Sequence, residues 1–168
     1  MIGVDYVRTM ARYNEWQNRS LYGAADGLSD EERRKERGAF FGSIHGTLSH
    51  LLWGDEQWMS RFSDVPKPTG EAKDSPRYCP DWSELKRRRL VLDQKILAWA
   101  DAMDSSGVYG DLVWYSGLAK ANRSKERWIL FAHFFNHQTH HRGQVHAMLT
   151  TAGAKPDDTD LMIMKLPA

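Results

Sequence analysis

Cysteine is almost absent from this chain. Cys79 is its only one in 168 residues, so no internal disulfide can form, and the sequence reads as that of a cytoplasmic protein stabilised by its core. Long apolar runs are missing too: none approaches the ~20 residues of a membrane span, and no basic-then-apolar leader opens the chain. There is no excess of charge of either sign. Twenty-three Lys and Arg face 22 Asp and Glu, for a formal net charge of +1, which gives no bulk attraction to nucleic acid. The run Lys86-Arg87-Arg88-Arg89 does not alter this. Consecutive helical residues point about 100° apart, so the run reads as a solvated helix segment rather than a phosphate patch. Proline is scarce and uneven. Four of the six prolines fall within residues 64–80, which predicts a long connection there. Cys79 lies at its end, between Tyr78 and Pro80, where a passive thiol is favoured over a reactive one.

What remains is ample for one domain with a substantial core, since apolar residues make up 41% of the chain and exclude a disordered class. Apolar spacings of three and four predict a helix over residues 4–26, with Tyr6, Met10, Tyr13, Leu21 and Ala24 on one face. Ser29-Asp30-Glu31-Glu32 has the form of a capping box for a short turn ending near Lys35. A second long helix is expected from about Gly42 to Phe62, with the stripe Phe41, Ile44, Leu48, Leu51, Leu52, Met59 and Phe62. Asp81, followed by Glu84, should start a third, running to about Asp104 through Leu85, Val91, Leu92, Ile96 and Trp99. Residues 105–123 are richer in strand formers and predict a short hairpin turning at Ser116-Gly117. Ser124 then caps a fourth long helix ending near Ala152, and residues 154–168 form an extended tail. The class is therefore all-α: a four-helix bundle with a short β-hairpin before the last helix.

The segment His133–Gln144, HFFNHQTHHRGQ, holds four of the seven histidines. His137 and His141 are four apart, which on a helix leaves them about 40° apart on one face, one turn above the other. Two neutral imidazoles so placed can bind one divalent metal. His133 with His137, and His137 with His140, are also suitably spaced, and spacing alone does not choose among these pairs. A third ligand must come from another helix, with His50 the leading candidate and His45 its rival. His45 projects into the apolar stripe of its helix, where a histidine is usually a satisfied core residue. His50 projects off the centre of that stripe, which suits a site open to substrate.

Three segments carry a resemblance to a known family: SIHGTLSHLLWGDEQWMSRF at 43–62, NHQTHHRGQ at 136–144 and DDTDLM at 157–162. Together they resemble the DinB family, within the DinB/YfiT-like group of metalloenzymes, over nearly the whole chain. The resemblance implies a homodimeric up-down-down-up bundle. It also implies a three-histidine site for Zn²⁺ or Ni²⁺, formed by His50, His137 and His141. Some relatives transfer low-molecular-weight thiols to electrophiles, and the family name does not imply DNA binding.

The leading expectation is a metal-dependent enzyme that activates a low-molecular-weight thiol. A metal-dependent hydrolase and a non-catalytic metal- or ligand-binding protein are the alternatives. Trp53, Trp114 and Tyr115 are candidate walls of the substrate pocket. Arg142 and Gln144 are expected just outside the ligands, Arg142 tying its helix to Asp55 or Asp160. No general base is identified; Asp55 and Glu56 lie near His50, but helical carboxylates more often pair with arginines.

Overall fold

A computed structural model describes residues 1–117 and 119–165. It is mostly helical. Helix α1 spans Val4–Asp26, a short α2 Asp30–Arg34, α3 Ile44–Phe62, α4 Trp82–Ala102 and α5 Arg127–Thr151. Strands β1 (Asp111–Ser116) and β2 (Ala121–Glu126) pair antiparallel, and 3₁₀ turns occupy Ala72–Arg77 and Leu161–Ile163. Helix α1 packs on α4 and α5, and α3 packs on α5 and α4, around one shared core.

The helix starts follow local chemistry. Ser29 Oγ accepts from Glu32 N at 3.1 Å, Ser43 Oγ from Gly46 N at 3.0 Å, and Asp81 Oδ1 from Glu84 N at 2.7 Å, each satisfying an orphan N–H of a first turn. Ser124 does not cap α5. It lies in β2 opposite Val113, and its hydroxyl donates to Asp111 Oδ2 at 3.0 Å across the hairpin. The hairpin therefore extends to Glu126, three residues beyond the expected boundary, and α5 begins at Arg127. Alternation holds on β1: Leu112 and Trp114 are half-buried, whereas Val113 and Tyr115 face outward.

The buried faces of α1 and α4 depart from the apolar pattern for one reason. On α1 the innermost row is Val7, Ala11, Asn14, Asn18, Leu21 and Ala25; Tyr6, Met10 and Ala24 lie beside it, partly buried. On α4, Arg89 and Asp93 take core positions and Val91 is exposed. Arg89, read from sequence as part of a solvated basic run, is only 2% exposed. Its Nη1 donates to Asp55 Oδ2 at 2.6 Å, and its Nη2 lies 2.8 Å from Asp93 Oδ1. Asn14 and Asn18 of α1 donate to Asp93 Oδ1 at 2.9 and 3.0 Å, and Arg142 of α5 donates to Asn14 Oδ1. The other members of the basic run diverge as helical geometry requires: Lys86 pairs with Asp26, Arg87 with Glu84, and Arg88 with Glu56.

Burial pushes the Asp93 carboxyl up to about 6 against the pull of Arg89, and brings Arg142 down to about 10. Burial also works against the Arg89 charge, and Asp93 and Asp55 more than offset it. The cluster is thus held by mutual compensation. Arg89→Met removes the shared cation and strands two buried carboxyl groups. It should cost about 3–5 kcal/mol in urea unfolding. Adding Asp55→Asn and Asp93→Asn to Arg89→Met should recover part of that loss; a triple variant no more stable than Arg89→Met would contradict the compensation.

Candidate metal site

His137 and His141 lie one turn apart on α5, and α3 brings His50 against them. The His50 and His137 Nε2 atoms are 3.2 Å apart, and one ring nitrogen from each of the three residues lies within 4.8 Å of the others. His50 and His141 are buried and His137 is half-buried. Gly54 makes room for this approach. A Cβ at that position of α3 would lie 3.2 Å from Cε1 of His137.

The remaining ring nitrogens fix the tautomers of two of the three. Ser75 Oγ donates its single proton to Ala72 O at 2.6 Å, so at 2.8 Å from His50 Nδ1 it can only accept. His50 therefore carries its proton on Nδ1, and its Nε2 lone pair faces inward. Gln144 Oε1 accepts from His141 Nδ1 at 2.8 Å, which leaves His141 Nε2 as a lone pair as well. His137 Nδ1 is buried without a partner. Two arrangements satisfy the facing Nε2 atoms of His50 and His137: a proton donated from His137, or a cation that accepts both lone pairs. Only the cation also uses the lone pair of His141. The 3.2 Å separation is close to the roughly 3.4 Å ligand–ligand edge of a tetrahedral ion with bonds of about 2.0–2.1 Å. The residues present therefore fit a divalent metal.

Electrostatics agrees with the donor role. Burial, reinforced by the neighbouring imidazoles, pushes His50 down to about 3 and His137 down to about 4. Burial also lowers His141, with Gln144 opposing it in part. All three are neutral at pH 7, as ligands must be.

The other histidines fall outside the cluster. His45 is buried on the core side, its Nε2 donating to Cys79 O at 2.8 Å. His133 is exposed and packs on Trp58, with ring centroids 5.2 Å apart. His140 is exposed beside Gln144, with Nε2 atoms 3.4 Å apart. Cys79 is buried, and burial pushes its thiol up from its ordinary value, which leaves it unreactive.

The neighbouring polar residues are placed differently from each other. Arg142, expected to reach Asp55 or Asp160, bonds to Asn14 instead; Asp55 is held by Arg89, and Asp160 is exposed in the tail. Gln144 sits beside the three histidines, on His141. Glu56 accepts from Arg88 at 2.8 Å and from the Tyr78 hydroxyl at 2.6 Å. Both carboxylates near His50 in sequence are thus committed to arginines.

Trp53 is half-buried and donates from Nε1 to Thr69 O at 3.1 Å, tying α3 to the connection. Trp114 packs 6.0 Å from Trp58, whose ring also stacks on Phe62 and meets His133 edge-on. Tyr115 is 63% exposed on the outer face of β1.

Two residues that sequence reasoning did not assign to the site lie against the histidines. Phe41, expected only as a stripe residue, stacks on His50 at 3.8 Å between centroids and lies 5.2 Å from His141. The loop before α3 carries it, and that loop passes so close to α3 that a Cβ on Gly46 would lie 2.7 Å from Phe41 O. Ser75 comes from the 3₁₀ turn in the proline-rich connection. Ser49 Oγ, donating to Ser75 O at 2.9 Å and accepting from Cys79 N at 3.0 Å, fastens that turn to α3. Ser75 has no periodic signature, and the stripe that includes Phe41 gives no sign that its loop turns it onto the histidines.

Comparison with known proteins agrees with the motifs. Protein DinB of Bacillus subtilis (strain 168) is 26% identical over 167 residues, covering 93% of this chain and 91% of that protein. The model of the DinB family matches residues 3–167, and the chain belongs to that family.

Proposed function

We propose that His50, His137 and His141 hold one divalent metal ion, Zn²⁺ or Ni²⁺, and that the protein is a metal-dependent enzyme activating a low-molecular-weight thiol for transfer to an electrophile. The observation that carries the metal reading is the pair of Nε2 atoms 3.2 Å apart, with the His50 tautomer fixed from behind by Ser75. The thiol reading draws on the family resemblance and on the neutrality of the ligands. A divalent ion held by three imidazoles keeps its charge and an open position, at which a thiol ionises far more readily than in water.

The chain's own contribution is positioning. Ser75 and Gln144 orient two imidazoles, and Phe41 covers one side of His50 and keeps water from it. In the transfer, the thiol sulfur bonds to the electrophilic centre, and the leaving group departs with the electron pair of the broken bond. The thiol proton goes to solvent, because Asp55 and Glu56 are engaged by Arg89 and Arg88. Trp53 and Trp114 are the aromatic residues we assign to the outer substrate wall, with Tyr115 at its exposed margin. The reading extends, through the same resemblance, to a cytoplasmic homodimer with an up-down-down-up bundle. It assigns no nucleic-acid partner and no membrane role. Among the described residues no helix is long and apolar enough to cross a membrane.

Elemental analysis of untagged protein should find one metal per chain. Replacement of any of the three histidines by Ala should sharply reduce that content with helical circular dichroism retained. Stoichiometric metal in His50→Ala protein would exclude His50. Ser75→Ala, which touches no ligand lone pair, should weaken metal affinity about 10–100-fold. Arg142→Ala should lower the melting temperature more than it lowers metal affinity.

Thiol activation makes a separate spectroscopic demand. After Co²⁺ substitution, adding a biological thiol should produce a sulfur-to-metal charge-transfer band with release of a proton. Cobalt occupancy without such a band across a panel of thiols would reject the thiol chemistry and leave a hydrolase or a binding protein.

A further inference from the structure

We propose that a second pocket, separate from the three histidines, binds a flat apolar organic acid. The pocket has a volume of about 710 Å³ and lies where the C-terminal halves of α3 and α4 meet β1 and the start of α5. That volume is in the range of small-molecule sites, about 300–1,000 Å³. Phe62, Trp99 and Phe131 line it. They form a fixed aromatic array: Phe62 stacks on Trp99 at 5.6 Å, and Phe131 meets both edge-on at 4.9 and 5.1 Å. Such a surface favours a planar apolar body.

The same pocket is lined by three cations, Arg61, Lys95 and Arg127, and one carboxylate, Asp64. Elsewhere on this protein cationic side chains commonly find carboxylates, as Lys86 and Arg87 do. Among the described residues, none of the three pocket cations makes a side-chain hydrogen bond or an ion pair. Arg61 is half-buried with its guanidinium 4.4 Å from the Trp58 ring centroid and 5.7 Å from that of Trp114. Those rings hold it in place without neutralising it. Burial pushes the Arg61 guanidinium down from its ordinary value, a cost that a bound anion relieves. Three uncompensated cations beside an aromatic floor match a ligand with an anionic head and a flat apolar body. The three histidines contribute nothing to this lining, so the assignment stands independently of the metal.

The probe is 8-anilino-1-naphthalenesulfonate, with N-phenyl-1-naphthylamine as its uncharged counterpart, titrated into the full untagged chain. One sulfonate should bind per chain with enhanced fluorescence, at least tenfold more tightly than the amine. Arg61→Gln, Lys95→Gln and Arg127→Gln combined should weaken sulfonate binding at least tenfold and leave the amine unchanged. Arg127→Gln alone should give a smaller loss in the same direction, and covers the case in which the triple variant melts early. Ala98→Trp, which fills the pocket from its exposed rim, should reduce binding of both probes. Binding to His50→Ala protein should be unchanged. 2-Naphthoate should displace the sulfonate more effectively than decanoate. Equal binding of both probes, an unaffected Arg127→Gln variant, or loss of binding in a folded His50→Ala protein would overturn the proposal. Equal displacement by decanoate would overturn the preference for a flat body.

Discussion

The buried guanidinium of Arg89 is the constraint on which the rest of the structure depends. It lies between Asp55 of α3 and Asp93 of α4, and Asp93 in turn takes hydrogen bonds from Asn14 and Asn18 of α1. Arg142 joins α5 to the same cluster through Asn14. An apolar core would tolerate small slips of one helix along another, because hydrophobic contact is non-directional. A buried ion pair does not, since a displaced partner leaves an uncompensated charge. The cluster therefore fixes register as well as contact. That matters for the histidines because they share the same helices. Arg142 follows His141 directly, and Asp55 lies five residues beyond His50. Holding Arg142 and Asp55 in place sets the heights at which α5 and α3 present their imidazoles.

Outside that cluster the site is finished by segments that are not helical cores. Ser75 arrives from the proline-rich connection, and Phe41 from the loop before α3. The division has a physical reason. A helix face can hold two imidazoles a turn apart, but it cannot place a group behind a third residue on a different helix. A fixed proton on His50 Nδ1 requires an acceptor that comes in from the side. The short 3₁₀ turn pinned by Ser49 supplies it. Gln144 does the same for His141 from three residues away, using the ordinary i,i+3 proximity of a helix.

This division also explains what could be read in the sequence. The four long helices, the caps at Ser29 of the short α2 and at Asp81 of α4, and the long connection follow from periodicity and turn chemistry, which are local. The i,i+4 relation of His137 and His141 is local as well, and Gln144 beside them follows from the same count. The placement of His45 in the core could be read from its position among Leu48 and Leu52. The faces of α1 and α4 could not be read so directly, because their innermost rows contain Asn14, Asn18, Arg89 and Asp93. Hydropathy places such residues outside, and only their mutual contacts bring them in. The start of α5 was missed for a related reason: Ser124 is a good cap by type, but a cross-strand bond to Asp111 claims its hydroxyl. Ser75 and Phe41 required a tertiary approach that no spacing encodes.

The commitment of acidic groups to arginines has a chemical consequence at the histidines. Asp55 and Glu56 are near His50 in sequence, and each is held by a guanidinium, one deep in the core and one near the surface. A carboxylate free to approach the three imidazoles would raise their basicity and compete for any cation they hold. Pairing these carboxylates elsewhere leaves the imidazoles in desolvated, uncharged surroundings, where burial keeps them deprotonated and their lone pairs available. The Arg89 cluster thus acts on the site in two ways. It fixes where the imidazoles meet, and it withdraws a nearby negative charge from them. A divalent cation held by three neutral imidazoles on this frame, as we propose, would keep its charge unquenched by the protein and would favour small anionic ligands.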